Sequence, residues 1–307
     1  MKMEIKKWTY EEFPEFTEEV EGAERISTTG EEMGVRLHLD VEYARKDGEI
    51  LHLQILEPYC RKDAERIYPC LLYVQGSAWF KQNVYAGIPL LTNLAKKGYV
   101  IAVVEYRHSG IAAFPAQIQD ARDAVRFMKI HGGEYHADLE NVFVGGSSSG
   151  GHTAVFAGML SEGDPLDASS YPGVSADVKG ILDYYGAVDF LLEDGYPSTE
   201  NHHQPDSPEG RLLGGTSWTE NPKGYEEATA ITHISEETQI PPVLIFHGTK
   251  DRTLNIRQSI RLYEKLKVCK KDAMLYLIEG ADHGGAEFWT EEVCGRADAF
   301  MKHCMEQ

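Results

Sequence analysis

The sequence predicts an α/β fold, a mostly parallel, twisted sheet with helices on both faces. Three observations carry that expectation. Apolar, β-branched runs alternate along the chain with amphipathic stretches of helical period, the pattern of strands joined by crossover helices. One such run, Val142-Phe143-Val144, collapses into Gly145-Gly146-Ser147-Ser148-Ser149-Gly150-Gly151-His152 before helix-compatible sequence resumes. Two late strands, Pro242-Val243-Leu244-Ile245-Phe246 and Ala273 to Ile278, are each followed by a loop bearing an acid–base residue, Asp251 and His283.

Taken in order, 35–43 and 50–56 alternate polar and apolar residues and are expected to open the sheet as an antiparallel hairpin. A strand at 70–75, an amphipathic stretch near 84–97, a strand at 99–105 and a helix near 114–131 follow. Strand 141–145, helix 150–161 and strand 179–184 complete the first part of the alternation. Loops at the carboxyl ends of parallel strands converge, so a site is expected there.

Two regions leave this rhythm. Residues 1–34 are acidic and carry Trp8, Tyr10, Phe13 and Phe16, which suggests an arm lying over the sheet or the mouth of a site, with 35–307 as one domain. Residues 186–240, rich in Pro, Gly and polar side chains, interrupt the core strands. An insertion of that size in a compact domain is usually functional or disordered, and a partial lid is expected, with Tyr184, Tyr185, Tyr196, Trp218 and Tyr225 as candidate wall residues or anchors.

The glycine-rich tract reads as a nucleophile elbow. The chain leaves a buried strand, turns sharply and enters a helix with a serine at the apex. Of Ser147, Ser148 and Ser149, only Ser148 has glycine two positions away on both sides, Gly146 and Gly150, where larger residues would collide across the turn. A phosphate-binding loop is the poorer reading, since the lysine and the glycine spacing of such loops are both missing. The partners of an elbow serine follow it in the order acid, then histidine, which matches Asp251 and His283. His283 would take the Ser148 proton, and Asp251 would fix its tautomer.

Competing residues have blander readings. His247 precedes Asp251 at a strand end and reads as structural; Asp282, next to His283, reads as a solvated loop carboxylate. Asp183, Asp189 and Asp194 are backup acids, and His152 reads as packing beneath the site. His202-His203 reads as loop surface, because adjacent histidines rarely share one metal ion and no third ligand is evident. Upstream, the strand ending at Val74 runs into Gln75-Gly76-Ser77-Ala78-Trp79-Phe80, where acyl-transfer enzymes of this architecture place an HGGG-type loop. On that pattern the oxyanion donors are the N–H groups of Ser77, Ala78 and Ser149. Gln75, Ser77 and Ala78 depart from it by replacing the histidine and two glycines.

With these residues the chain resembles the α/β-hydrolase superfamily, in the branch of bacterial acetyl and feruloyl esterases related to hormone-sensitive-lipase-like carboxylesterases. Further similar stretches are Val104 to Ser109, Phe114 to Arg126, Ser207 to Gly215 and Pro241 to Gly248, so the resemblance spans roughly 35–303. It implies the fold, a Ser148–Asp251–His283 triad and short-chain ester hydrolysis, with acetyl groups on xylan-type carbohydrates as the expected target. It also implies that Asp120 buttresses the elbow from within. Feruloyl esters, amides or peptides are alternatives for the same triad. A non-catalytic ligand-binding module is the alternative from another class, though such a protein should have lost a triad residue.

Composition agrees. A net charge of −19 repels phosphate backbones, so nucleic acid is not an expected partner, and neutral small-molecule or oligosaccharide esters suit it better than anionic ones. No apolar run is long enough to span a membrane, and the N-terminus lacks a signal-type apolar core. Five cysteines scattered without metal spacing fit reduced thiols and a cytoplasmic setting. No metal or organic cofactor is implied. The sheet edge and the N-terminal arm are the surfaces through which a homo-oligomer would form.

Overall fold

A computed structural model describes residues 5–192 and 197–307. Eight strands form one sheet: β1 (Met33–Lys46), β2 (Glu49–Cys60), β3 (Tyr68–Val74), β4 (Val100–Val104), β5 (Ala137–Ser147), β6 (Ile181–Tyr184), β7 (Val243–Gly248) and β8 (Ala273–Ile278). Their spatial order is β1-β2-β4-β3-β5-β6-β7-β8. Pairing is antiparallel only for β1 with β2 and β2 with β4; every later pair is parallel. The opening hairpin is longer than the alternation suggested. Register shifts between His38 and Val41 and between Glu42 and Ala44 break the period of two inside a continuous β1.

The helices are α1 (Ile88–Ala95), α2 (Ala116–His131), α3 (Ser149–Met159), α4 (Pro208–Leu212), α5 (Pro222–Glu227), α6 (Arg257–Val268) and α7 (Glu291–Met305). Strand alternation splits the core into two layers. Cys70, Leu72, Val74, Val142, Val144, Val243 and Ile245 face α2, α3 and α6 through Ile118, Ala121, Val155, Leu262 and Leu266. Their neighbours Leu71, Tyr73, Phe143, Leu182, Leu244 and Phe246 face α1 and α7 through Leu91, Leu94, Ala297, Phe300 and Met301. Central parallel strands buried on both faces read as unbroken apolar runs, and this is why β3, β4 and β7 were visible as such.

The described residues of the region 186–240 are organised. Its two short helices start at Ser207 and Asn221, whose side chains accept the N–H groups of Gly210 (3.0 Å) and Gly224 (3.1 Å), each ahead of a proline in the first turn. Ala187, Phe190, Leu212, Tyr225 and Ala228 from this region make a third apolar cluster with Trp79 and Leu254. Residues 5–32 form no strand or helix; Trp8, Tyr10, Phe13 and Phe16 are exposed, and Arg61 at the end of β2 lies over the Tyr10 ring at 4.4 Å. All five cysteines are buried free thiols. Among the described residues, no helix is long and apolar enough to cross a membrane.

Candidate active site

β5 delivers Ser148 to the carboxyl edge of the sheet, and α3 begins at the next residue. The apex backbone is strained, with Ser148 at φ 54° and ψ −124°. Its N–H donates to the Tyr184 carbonyl at 2.9 Å and its carbonyl accepts from His152 at 3.1 Å, which ties the turn to β6 and to the first turn of α3. The flanking glycines are required by space. A Cβ on Gly146 would lie 2.2 Å from the Gly150 carbonyl oxygen, and one on Gly150 would lie 1.9 Å from that of Val74.

Three loops meet at this serine. His283, in the loop after β8, places Nε2 2.9 Å from Ser148 Oγ and Nδ1 2.7 Å from Asp251 Oδ2. Asp251 follows β7, and its Oδ1 accepts the N–H groups of Thr253 (2.9 Å) and Leu254 (2.8 Å). Its Oδ2 also faces His247 Nε2 at 3.2 Å, while His247 Nδ1 pairs with Ser259 Oγ at 2.7 Å. Burial alone would raise the Asp251 carboxyl, but the hydrogen bonds to His247 and His283 outweigh it and hold the group far below the usual carboxylate range. With Nδ1–H facing that carboxylate, the Nε2 lone pair of His283 is directed at the Ser148 hydroxyl.

The loop after β3 closes the other side. Gly76 N–H donates to Ser147 Oγ (3.1 Å) and Ser77 N–H to Ser149 Oγ (2.9 Å). Of the three amides expected to hold an oxyanion, that of Ser77 is therefore already engaged. The hydroxyl that captures it exists only because serine follows Ser148 at the apex of the turn. Ala78 and Trp79 take left-handed conformations (φ 54° and 55°), and Ala78 and Ser149 line the same cavity as Ser148. Ser149 opens α3, so its N–H lies outside the helical ladder.

That cavity, about 200 Å³, is walled by Ala78, Trp79 and Phe80 from the loop, by Ala187, Glu200, His202, Pro208 and Glu209 from the insertion, and by Thr253 and Leu254. The aromatic wall thus comes from Trp79 and Phe80. Tyr184 instead stacks in the core on Phe246 and Trp289, Tyr225 is fully buried in the third cluster, and Trp218 packs at that cluster's margin. Tyr185 sets its ring 4.9 Å from that of His283. Tyr196 and Asp194 lie outside the described residues.

The remaining candidates separate cleanly. Asp183 is enclosed beneath the elbow and accepts the Gly186 N–H at 2.9 Å; Asp189 pairs with Arg261 at 2.7 Å. Asp282 binds Arg252 and accepts the His283 N–H at 2.8 Å, and the Arg252 bond leads the interactions that lower its carboxyl to about 2. His152 is buried, lies stacked against Phe190 and gives Nε2 to the Ala228 carbonyl at 2.9 Å; burial lowers it to about 4. Asp120 holds Arg107 and Lys46 rather than the elbow. Two residues were undervalued from sequence. His247 sits on the Asp251 carboxylate, and His202 lines the cavity, bound to Glu209 Oε1 (2.9 Å) and the Thr253 carbonyl (3.0 Å). A spacing signal existed for the first: His247 precedes Asp251 by four residues at a strand end.

The sheet topology and the elbow that crowns it define an α/β-hydrolase. The chain belongs to the BD-FAE family, whose family model matches residues 56–266. It is 28% identical over 210 residues to the probable carboxylic ester hydrolase LipM of Mycobacterium tuberculosis (strain ATCC 25618 / H37Rv), an alignment covering 68% of this chain and 47% of LipM. The chain spans about half the length of the curated relatives it matches. Among solved structures, a truncated form of a carbohydrate esterase from gut microbiota superposes with a TM-score of 0.74 at 23% identity, covering 91% of this chain and 99% of that one. A bifunctional GH43-CE protein of Bacteroides eggerthii superposes with a TM-score of 0.72 at 26% identity, covering 90% of this chain and 38% of that one.

Proposed function

We propose that this chain is a serine carboxylesterase that hydrolyses short-chain acyl esters through an acyl-enzyme, with acetyl groups on xylan-type carbohydrates as its target. The observation that carries the reading is the continuous hydrogen-bonded line from Ser148 through His283 to Asp251, at the edge of a cavity. Ser148 Oγ attacks the ester carbonyl carbon while His283 Nε2 takes its proton. Asp251 keeps the imidazole oriented and stabilises its charged form. The developing oxyanion is received by the amides of Ala78 and Ser149, such donors being worth about 2.7–4 kcal/mol each. His283 then gives its proton to the leaving alcohol oxygen, the C–O bond breaks, and Ser148 carries the acyl group. Water, deprotonated by His283, attacks that acyl carbon and releases the acid and the free serine.

The small cavity supports a short acyl group: its volume of about 200 Å³ is below the roughly 300–1,000 Å³ of sites for larger ligands. The carbohydrate target is supported by the likeness to proteins described as carbohydrate esterases. The insertion acts as a partial lid in this reading, since five of its residues wall the cavity. The test is p-nitrophenyl acetate and butyrate turnover by wild type and Ser148→Ala at neutral pH. We expect faster acetate turnover and a fall of at least about a thousandfold in the variant. Equal turnover by both proteins removes Ser148 from its role.

A further inference from the structure

The loops after β7 and β8 leave their strands side by side. Thr249 N–H donates to the Ile278 carbonyl at 3.0 Å and Lys250 N–H to the Ala281 carbonyl at 2.9 Å, while Thr249 Oγ1 accepts the Gly280 N–H at 2.8 Å. Among the described residues, the backbone bonds between the two loops end at Lys250 and Ala281, just short of Asp251 and His283. Beyond His283 the chain offers little restraint of its own. Gly284 and Gly285 follow, both with positive φ (86° and 112°), and glycine is the residue with the most backbone freedom. What fixes the histidine backbone therefore lies on its N-terminal side.

Asp282 occupies that side. Its Oδ1 accepts the N–H of His283 at 2.8 Å and that of Arg252 at 3.1 Å. These amides belong to His283 itself and to the residue after Asp251, so one oxygen joins the two loops where they carry the base and the acid. Its Oδ2 accepts Arg252 Nε at 2.7 Å and lies 2.5 Å from Nη2, a two-pronged pair that sets the angle of the carboxylate. The Arg252 side chain is 74% exposed and that of Asp282 39%. An ion pair so open adds little to stability, and its worth lies in placement. His283 has to keep Nε2 on Ser148 while Nδ1 stays on Asp251, and an offset of about 1 Å in such a line costs on the order of a hundredfold in rate.

We infer that Asp282 is a positioning residue, its Oδ1 tying the His283 loop to the Asp251 loop while Arg252 holds the carboxylate at the angle that lets one oxygen take both amides. The side chain that reads from sequence as a solvated loop carboxylate thus spends one oxygen on an open ion pair and the other on the backbone of both loops. This rests on the ester-hydrolase reading and adds a residue to it.

Asp282→Ala removes both amide bonds, whereas Asp282→Asn keeps an oxygen for them and discards the charge. Steady-state turnover of p-nitrophenyl acetate and the far-downfield proton NMR signal of His283 Nδ1–H are recorded for wild type and both variants at one pH. In the alanine variant we expect kcat to fall about tenfold or more with KM within about twofold of wild type. Its Nδ1 proton should shift or broaden as the bond to Asp251 loosens. Asparagine should restore kcat to within about threefold of wild type, the neutral acceptor being the weaker one. Asp282→Leu, similar in shape but unable to accept, stands in if the alanine protein does not fold. An unmoved proton or a wild-type kcat in the truncated variant overturns the proposal. So does a loss carried by KM, or an asparagine protein as slow as the alanine one, since charge and not the tie would then be what His283 requires. Failure of the ester-hydrolase reading looks different: wild type then leaves p-nitrophenyl acetate intact, or Ser148→Ala turns it over as well, and the proton signal still reports whether Asp282 holds the imidazole.

Discussion

Asp183 lies at the third position of β6, under the elbow helix, with no exposed surface. Its Oδ1 accepts the Gly186 N–H at 2.9 Å, and its Oδ2 is buried without a partner. Glycine backbone presses close, since a Cβ on either Gly151 or Gly186 would come 2.4 Å from Oδ1. Burial dominates and pushes the carboxyl from 3.8 up to about 7, the single backbone bond pulling only part of the way back. Between about pH 4 and 7 the folded protein therefore holds a proton that the unfolded chain releases. Stability contributed by the neutral group is complete below the unfolded pKa and is lost as pH rises through the folded one. Three units at 1.36 kcal/mol each make the full loss about 4 kcal/mol, of which roughly 2–3 kcal/mol falls between pH 5 and 8. Asp183→Asn keeps the shape and the acceptor for Gly186 while removing the titration. Urea unfolding of wild type and Asp183→Asn at pH 5 and pH 8 reads the effect directly. The variant should gain about 2–3 kcal/mol on wild type as pH rises across that interval. Parallel stabilities at the two pH values would refute the argument, because Asp183 would then ionise alike in both states.

His247→Asn removes one of the two imidazoles on Asp251 Oδ2 and orphans Ser259 Oγ, so kcat/KM for p-nitrophenyl acetate should fall about tenfold, with a stability loss of about 1–3 kcal/mol in urea. Gly150→Ala drives a methyl into the Val74 carbonyl; unfolding should show a loss of about 1–3 kcal/mol, and turnover should drop because the elbow must shift. Asp167→Asn leaves Arg122 and Arg126 without their shared buried carboxylate and should cost about 3–5 kcal/mol while kcat of the folded fraction stays as in wild type.

What was legible in the sequence follows from how each feature is encoded. The central strands announce themselves because burial on both faces leaves unbroken apolar runs, and the elbow does so because its sterics admit only glycine at positions 146 and 150. Asp251 and His283 were found by chain order, a local property of loops after strands. The two bulges in β1 were hidden, since a register shift erases the alternation that would reveal the strand. The cavity wall was hidden for a different reason. Trp79, His202 and Glu209 come together from segments more than a hundred residues apart, and no periodicity records which side chains of an irregular insertion turn inward. Of the aromatic residues read as wall or anchor, Tyr225 is an anchor, because a large apolar ring fastens a loop as readily as it lines a site.

The departures of the loop after β3 from an all-glycine pattern have a structural counterpart. Ala78 and Trp79 hold left-handed angles that side chains disfavour, so something must hold them there. The insertion does. Trp79 is buried in one cluster with Phe190, Leu212 and Tyr225, its ring edge-on to Phe190 at 5.5 Å and to His152 at 5.2 Å. His152 in turn belongs to the first turn of the elbow helix and stacks on Phe190 at 5.0 Å. One aromatic group thus fastens the loop that presents the Ala78 amide, the helix that presents the Ser149 amide, and the insertion that walls the cavity. The Ser77 amide, clamped by Ser149 Oγ, adds a direct strut between the same loop and helix. Where a glycine loop reaches its shape through backbone freedom, this one is held by packing. The insertion that walls the cavity and the loop and helix that carry the Ala78 and Ser149 amides are therefore mechanically one unit.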